Sequence, residues 1–420
     1  MCGGGRIQSA ERAEPTLVYP TDCDTFPLQP ELADARRDGK GIIMSFALNL
    51  EQLRKQAKDR VRERRAAGQE VKLADVQFEL AGELGFVSWP KLKAYVERLA
   101  LEQPFRTDLD YYGGRARGIA SDAGVSLPEA RRALAARHGF GSWKALRGHV
   151  EAMHSGEEPP TPFVLAYQAL EARDCEQLVS LLDRFPDLIV QRGTNGNDLL
   201  GMADAHEIVS LLLDRGADPN RGNDYGWTKL HQAGYANDSE LARLMLRAGA
   251  CIDLSARGNG GTALVVALFW GHREVVELLG YEPRNLRVAA GLGNLELIRQ
   301  LAGTPAAGAH RGFYRPHGGF PVWEPADEPQ EILDEALVWA AKSDRVDAIR
   351  LLVEVGARID EDPYRGTALT WAAAVGRVEA VRALVELGAD PNRRGTFGGL
   401  EHAHGWASHG GHEDLAELLK

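Results

Sequence analysis

From residue 163 onward the apolar positions come in short helical bursts, a small-residue burst alternating with one rich in leucine. Ala233, Ala267, Ala340-Ala341 and Ala372-Ala373 mark the first kind. Leu211-Leu212, Leu278-Leu279, Leu351-Leu352 and Leu418-Leu419 mark the second. Recurrence at three- and four-residue spacing predicts helices, paired across turns near Asp174, Asp204, Asn237, Gly271, Gly293, Asp344, Gly376 and Gly411. The period is about 33 residues: Gly216-Ala217-Asp218-Pro219-Asn220 returns as Gly388-Ala389-Asp390-Pro391-Asn392, and Gly261-Thr262-Ala263-Leu264 as Gly366-Thr367-Ala368-Leu369. Thr228, Thr262 and Thr367 stand where a hydroxyl caps a first helix. Gly216, Gly249, Gly356 and Gly388 stand where a second helix ends through a left-handed residue. One such unit cannot bury its own apolar face, so the pattern predicts an all-α solenoid of about eight irregular helix-turn-helix units held by stacking.

The turn spacing is uneven at one place: Gly293 follows Gly271 by 22 residues and Asp344 follows Gly293 by 51. The unit near Gly271 has therefore lost its connecting loop, and the next has gained an insertion at 303–333.

Upstream, Leu50, Leu53, Ala57 and Val61 fall on one face of a predicted helix over Asn49–Gly68. Leu73–Glu97 then aligns without gaps on Leu127–Glu151, with ten identities in 25 positions. Each copy reads helix, Gly (Gly85, Gly139), Phe-x-Ser-Trp, helix. Ser88 and Ser142 are placed as N-caps, and Phe and Trp would close each hairpin. Glu157-Glu158-Pro159-Pro160-Thr161-Pro162 cannot continue a helix. The expected organisation is a disordered segment 1–43, a helical domain 44–154 with duplicated modules, a linker 155–162 and the repeat domain 163–420. Met44 is a candidate natural start. The end at Leu418-Leu419-Lys420, inside the last helix, points to a frayed terminus or a chain cut short.

Turn, Thr-x-Leu start, Ala-rich helix and x-Leu-Leu helix at this period resemble the ankyrin repeat. The resemblance covers about 163–420, and the duplicated modules resemble those ahead of bacterial ankyrin arrays. Its Thr-Pro-Leu-His pattern is imperfect: Pro becomes Lys229, Ala263 or Ala368, and His survives as His231. These departures are expected to weaken helix starts and hydrogen bonds between units. The resemblance implies a protein-binding scaffold and brings no catalytic residue and no cofactor.

Composition narrows the class. With 420 residues, 44% hydrophobic and 26% charged, the chain has the balance of a globular protein. No apolar run reaches membrane-spanning length. Cys2, Cys23, Cys175 and Cys251 lack CxxC pairing, which predicts free thiols and a cytoplasmic protein. Residues 45–154 hold 19 basic against 14 acidic residues, whereas 155–420 hold 25 against 39. Arg54, Lys55, Lys58, Arg60, Arg62, Arg64 and Arg65 could track phosphates, and the modules superficially resemble helix-turn-helix. A nucleic-acid-binding regulator is thus the alternative to a scaffold. Alternation with Glu51, Asp59 and Glu63 favours a solvated face instead, so nucleic acid is not the expected partner.

Three patterns bear on chemistry. His402, His404, His409 and His412 have metal-like spacing but coincide with a repeat's own turn, so no metal is expected. Gly258-Asn259-Gly260-Gly261-Thr262-Ala263 matches a dinucleotide fingerprint without the strand it requires. The insertion gathers Arg311, Phe313, Tyr314, Arg315, His317 and Trp323, residue types that anchor interfaces. It contacts a partner, packs on the array or forms a small anion pocket. Turn tips supply a second candidate surface: Asp224, Tyr225, Trp227, Arg257, Asn259, Tyr364, Arg365 and Phe397. A non-enzymatic monomer binding another protein through these residues is the expectation.

Overall fold

The computed structural model describes residues 50–256, 261–279, 285–308, 326, 328–363, 366–395 and 402–420. By internal contacts the chain divides at Ile42/Ile43, and every described residue lies in the second unit, Ile43–Lys420.

The N-terminal part holds two three-helix modules: α1 (Leu50–Ala66), α2 (Leu73–Glu83) and α3 (Trp89–Glu97), then α4 (Leu109–Ala123), α5 (Leu127–Arg137) and α6 (Trp143–Ser155). Each leading helix lies across its hairpin through one buried stripe, Leu53-Ala57-Val61 on α1 and Tyr112-Ala116 on α4. The duplication therefore includes a leading helix that the ungapped alignment did not reach. Gly85 and Gly139 have positive φ, as the helix stops require. Ser142 accepts from the Ala145 amide at 3.2 Å, whereas Ser88 makes no side-chain cap bond.

The array follows as eight helix pairs: α7 (Pro162–Ala172) with α8 (Cys175–Arg184), α9 (Leu199–Met202) with α10 (His206–Asp214), α11 (Lys229–Ala236) with α12 (Ser239–Arg247), and α13 (Ala263–Trp270) with α14 (Arg273–Leu278). Then come α15 (Leu286–Leu292) with α16 (Leu295–Leu301), α17 (Pro329–Lys342) with α18 (Val346–Glu354), α19 (Ala368–Ala374) with α20 (Val378–Glu386), and α21 (Ala403–His409) with α22 (Glu413–Leu418). The first helices from α11 to α21 pack side by side as one layer, and the second helices form the other. Close approach in the first layer needs small residues. A Cβ on Gly234 of α11 would stand 2.6 Å from the Ala263 carbonyl oxygen of α13.

Caps follow the sequence logic with one change. Thr262 and Thr367 accept from the amides of Val265 and Thr370 at 3.3 and 3.2 Å. Thr228 instead hands the role to His231, whose Nδ1 accepts from the Thr228 amide at 3.2 Å and sits 2.8 Å from its hydroxyl. The His231 Nε2–H then donates to the Gly261 carbonyl of the next unit at 3.1 Å. Lys229, expected to weaken the array, does the opposite locally: its buried ammonium donates to the Ala203 carbonyl of the preceding unit.

The modules pack against the array. β1 (Glu102–Gln103) pairs in parallel with β2 (Arg192–Gly193), matching Glu102 with Arg192 and Gln103 with Gly193. Phe105 inserts between Tyr111, Phe163 and Tyr167 at centroid distances of 5.5, 6.5 and 4.6 Å. Gly193 leaves room for this ring, since a Cβ there would come within 2.8 Å of it. One continuous core runs from Leu53 to Trp339, and a second fills the later units from Leu286 to Leu419.

Candidate binding surface

Alanine and glycine occupy the tight positions of the first-helix layer, so its bulk comes from aromatic rings. These form a continuous ladder. Trp227 lies 6.2 Å from Tyr235, Tyr235 lies 5.6 Å from Trp270, and Trp270 lies 5.2 Å from Phe269. Phe269 meets Trp339 at 6.1 Å and Trp371 at 5.7 Å, and Trp371 stacks on Trp406 at 6.4 Å. The ladder thus crosses α11, α13, α17, α19 and α21. Phe269 and Trp339 are buried, Tyr235 is 45% exposed, and Trp227, Trp270, Trp371 and Trp406 are half-buried. Pairs of this geometry contribute roughly 0.5–1.5 kcal/mol each beyond area burial.

A lysine underlies the middle of the ladder. Lys342, the last residue of α17, is 1% exposed, with Nζ 3.4 Å from the Phe269 centroid and 3.9 Å from that of Trp371. Its Nζ meets no hydrogen-bond acceptor among the described residues. Burial, then the nearby Arg377 guanidinium, holds its pKa well below that of a free lysine. Arg377 locks the junction by donating to the carbonyls of Lys342 at 2.9 Å and Gly271 at 2.7 Å. Beside it, Arg287 and Glu335 form a buried ion pair at 3.2 Å, with the guanidinium over Trp339.

The turn tips have a different fate. Asp224 is ion-paired with Arg137 at the end of α5, and Arg137 also holds Glu102 of β1. The Tyr225 hydroxyl donates to Asp122 of α4 at 3.3 Å. Both tips therefore bind the chain's own second module. Next to them His138 is fully buried, with Nδ1 2.9 Å from the Glu102 carbonyl and Nε2 3.2 Å from the Thr194 hydroxyl. Burial depresses its pKa to about 4, so the ring is neutral. Among the tip residues Trp227 joins the ladder. Arg257, Asn259, Arg311, Phe313, Tyr314, Arg315, His317, Trp323, Tyr364, Arg365 and Phe397 lie outside the described residues.

Other candidates resolve more simply. His402 and His404 are held by the carbonyls of Asn392 and Ala416 at 3.1 and 2.9 Å, and His409 packs on Trp406. On α1, Arg60 pairs with Glu83 and Arg64 with Glu79, each at 2.7 Å, which commits two of the seven cations to α2. Cys175 is free but Cys251 is disulfide-bonded, which corrects the free-thiol expectation for that residue. A compartment inferred from free thiols loses that support. No helix among the described residues is long and apolar enough to cross a membrane.

Sequence reasoning missed Tyr235, Phe269, Trp270, Trp371 and Lys342 as a set. A signal existed. Trp371 and Trp406 both stand four residues after their N-cap positions, Thr367 and His402, while Tyr235 and Phe269 both stand seven after Thr228 and Thr262.

The repeats agree with known proteins. A family model of ankyrin repeats in three copies matches residues 199–288 and 286–395. Over 108 residues the chain is 35% identical to the Drosophila melanogaster "Ankyrin repeat and KH domain-containing protein mask", an alignment covering 25% of this chain and 3% of that protein. With turn glycines, capping threonines and the His231 bridge in place between stacked helix pairs, residues 199–395 of the chain are an array of ankyrin repeats.

Proposed function

We propose that the chain is a non-enzymatic scaffold that binds another protein through the first-helix layer, with the aromatic ladder as the contact surface. The observation that carries this is the run of ring contacts from Trp227 to Trp406, through buried Phe269, across α11, α13, α19 and α21. Half-buried, preorganised Trp and Tyr are the residue types that dominate interface energetics. They lose little conformational freedom on binding, because neighbouring rings already fix their rotamers. Ankyrin repeats are general protein-interaction modules, which agrees with this reading. The insertion at 303–333 follows the Gly293 unit in sequence and is proposed to add to the same surface.

The test compares nuclease-treated pull-downs by the native chain, a Tyr235→Ala/Trp406→Ala variant and a variant lacking Pro305–Pro329. Far-ultraviolet circular dichroism must show each array folded. Loss of the same captured proteins from the ring variant supports the ladder. Undiminished capture by that variant rejects the ladder as the binding surface, whatever the deletion does.

A further inference from the structure

Away from the ladder, a notch of about 360 Å³, open to solvent, lies between the two modules and the connector to the array. Module one supplies Phe86, Val87, Lys91, Tyr95 and Arg98, module two supplies His149, and the connector supplies Glu158 and Pro159. His149 and Tyr95 occupy equivalent positions of the duplicated modules, 54 residues apart, so the notch sits on their internal pseudo-repeat. Three basic groups thus face a single carboxylate.

Glu158 answers only part of that charge. It is ion-paired with the Lys91 ammonium and lies 3.2 Å from His149 Nδ1. Arg98 Nε and His149 Nε2 are buried and meet no hydrogen-bond partner among the described residues. The Arg98 guanidinium is held 5.1 Å from the Phe140 ring centroid. Leaving such buried groups unpaired is unfavourable, and a ligand that pairs them removes that cost. A carboxylate has two oxygens, and Glu158 already directs them to Lys91 and His149.

We propose that this notch is a binding site for a phosphate group, and that Glu158 occupies it in cis as a competitor. A phosphate monoester brings three terminal oxygens, enough for Lys91 and Arg98 together. In its hydrogenphosphate form it also carries an O–H. It can therefore accept from His149 Nε2 when the ring is protonated and donate to it when neutral. Phe86, Val87 (52% exposed) and Pro159 give the rim an apolar wall. That wall favours a phosphate carried on an apolar body over inorganic phosphate. Competition with a tethered carboxylate keeps the apparent affinity of the native chain low, since the connector supplies a high effective concentration.

The experiment is calorimetric titration of the full chain with phenyl phosphate and with inorganic phosphate, in low-salt buffer free of other oxyanions. Glu158→Gln is expected to bind phenyl phosphate at least about tenfold more tightly than the native chain. Adding Lys91→Ala to that variant is expected to abolish the gain. Inorganic phosphate is expected to bind the same variant more weakly. Equal affinity in native and Glu158→Gln chains, or a gain that survives Lys91→Ala, overturns the proposal. A second readout needs no variant. In the native chain with labelled histidines, saturating phenyl phosphate is expected to shift the His149 ring resonances and leave those of buried His138 and His231 in place. Unmoved His149 signals overturn the site even if Glu158→Gln fails to fold.

Discussion

Replacing Lys342 by Met tests how the centre of the array is held. The native side chain places an amine between Phe269 and Trp371 at 1% exposure, with no hydrogen-bond acceptor among the described residues. Each unit by which burial depresses a lysine pKa costs the folded state about 1.4 kcal/mol wherever the unfolded chain carries the charge. Facing rings return roughly 2 kcal/mol to a retained ammonium. Met has similar length, keeps the ring contacts and has nothing to desolvate. Exchanging buried charged groups for apolar residues of like volume typically stabilises by ~1–4 kcal/mol, and Lys342→Met is expected to fall in that range near neutral pH. The sign of the pH dependence follows from the direction of the shift. The folded pKa lies below the unfolded 10.5, so between the two values the unfolded chain holds the extra proton and native stability rises with pH. The advantage of the variant should therefore shrink, by up to ~1.4 kcal/mol per pH unit, as pH climbs towards the unfolded value. Urea unfolding followed by tryptophan fluorescence, at about pH 7 and about pH 9.5, reads both effects on one transition. A variant less stable than the native chain near neutrality refutes the reasoning, as does a difference that stays constant with pH.

Acid should weaken the fold through two histidines. His138 and His231 are buried neutral with pKa values of about 4 against 6.5 when free, so their contribution is complete above 6.5 and is lost as pH falls through 4. Each loses up to roughly 3 kcal/mol, and a His231→Gln chain should show a shallower decline in melting midpoint across that window. Gly234→Ala is expected to destabilise by about 1–3 kcal/mol because the new methyl meets the Ala263 carbonyl; thermal unfolding unaffected by it would contradict the close α11–α13 packing. Arg137→Ala removes the partner of both Glu102 and Asp224. Faster hydrogen exchange at Glu102 and Gln103, with unchanged protection in α19 and α20, is the expected result.

Much of the array was legible because each unit's requirements are local. A capping Thr, a string of alanines and a closing Gly serve one helix pair, and their spacing survives degeneracy. The turn before Arg377 and the one after Asn237 were readable for that reason. What stayed hidden depends on neighbours. Nothing near Asp224 in sequence announces Arg137, and nothing near Lys342 announces that Phe269 will lie beneath its amine. Of the two leading helices, α1 was readable from its own apolar face, whereas α4 was missed because Tyr112-Ala116 matches Leu53-Ala57 only in spacing and in the alanine, and at a different offset from the aligned hairpins. Lys229 misled for a related reason: a cation at a proline position looks like a defect until the Ala203 carbonyl is seen within its reach.

Docking of the modules changes which surface of the array is available. In an isolated array the tips at Asp224 and Tyr225 would be free to meet a partner. Here they hold Arg137 and Asp122, and β1 lies along β2 at the array's start. The tie is built from groups that cannot be released one at a time without consequence, because Arg137 serves two carboxylates and His138 bridges Glu102 to Thr194. Breaking it would leave a neutral imidazole and a strand edge to be solvated together. The modules therefore lie against the first units, covering an edge that stacking alone would leave open. On the scaffold reading proposed above, the surface left for recognition is the one the modules do not reach, where the rings run from Tyr235 to Trp406 and where small residues draw the first helices together.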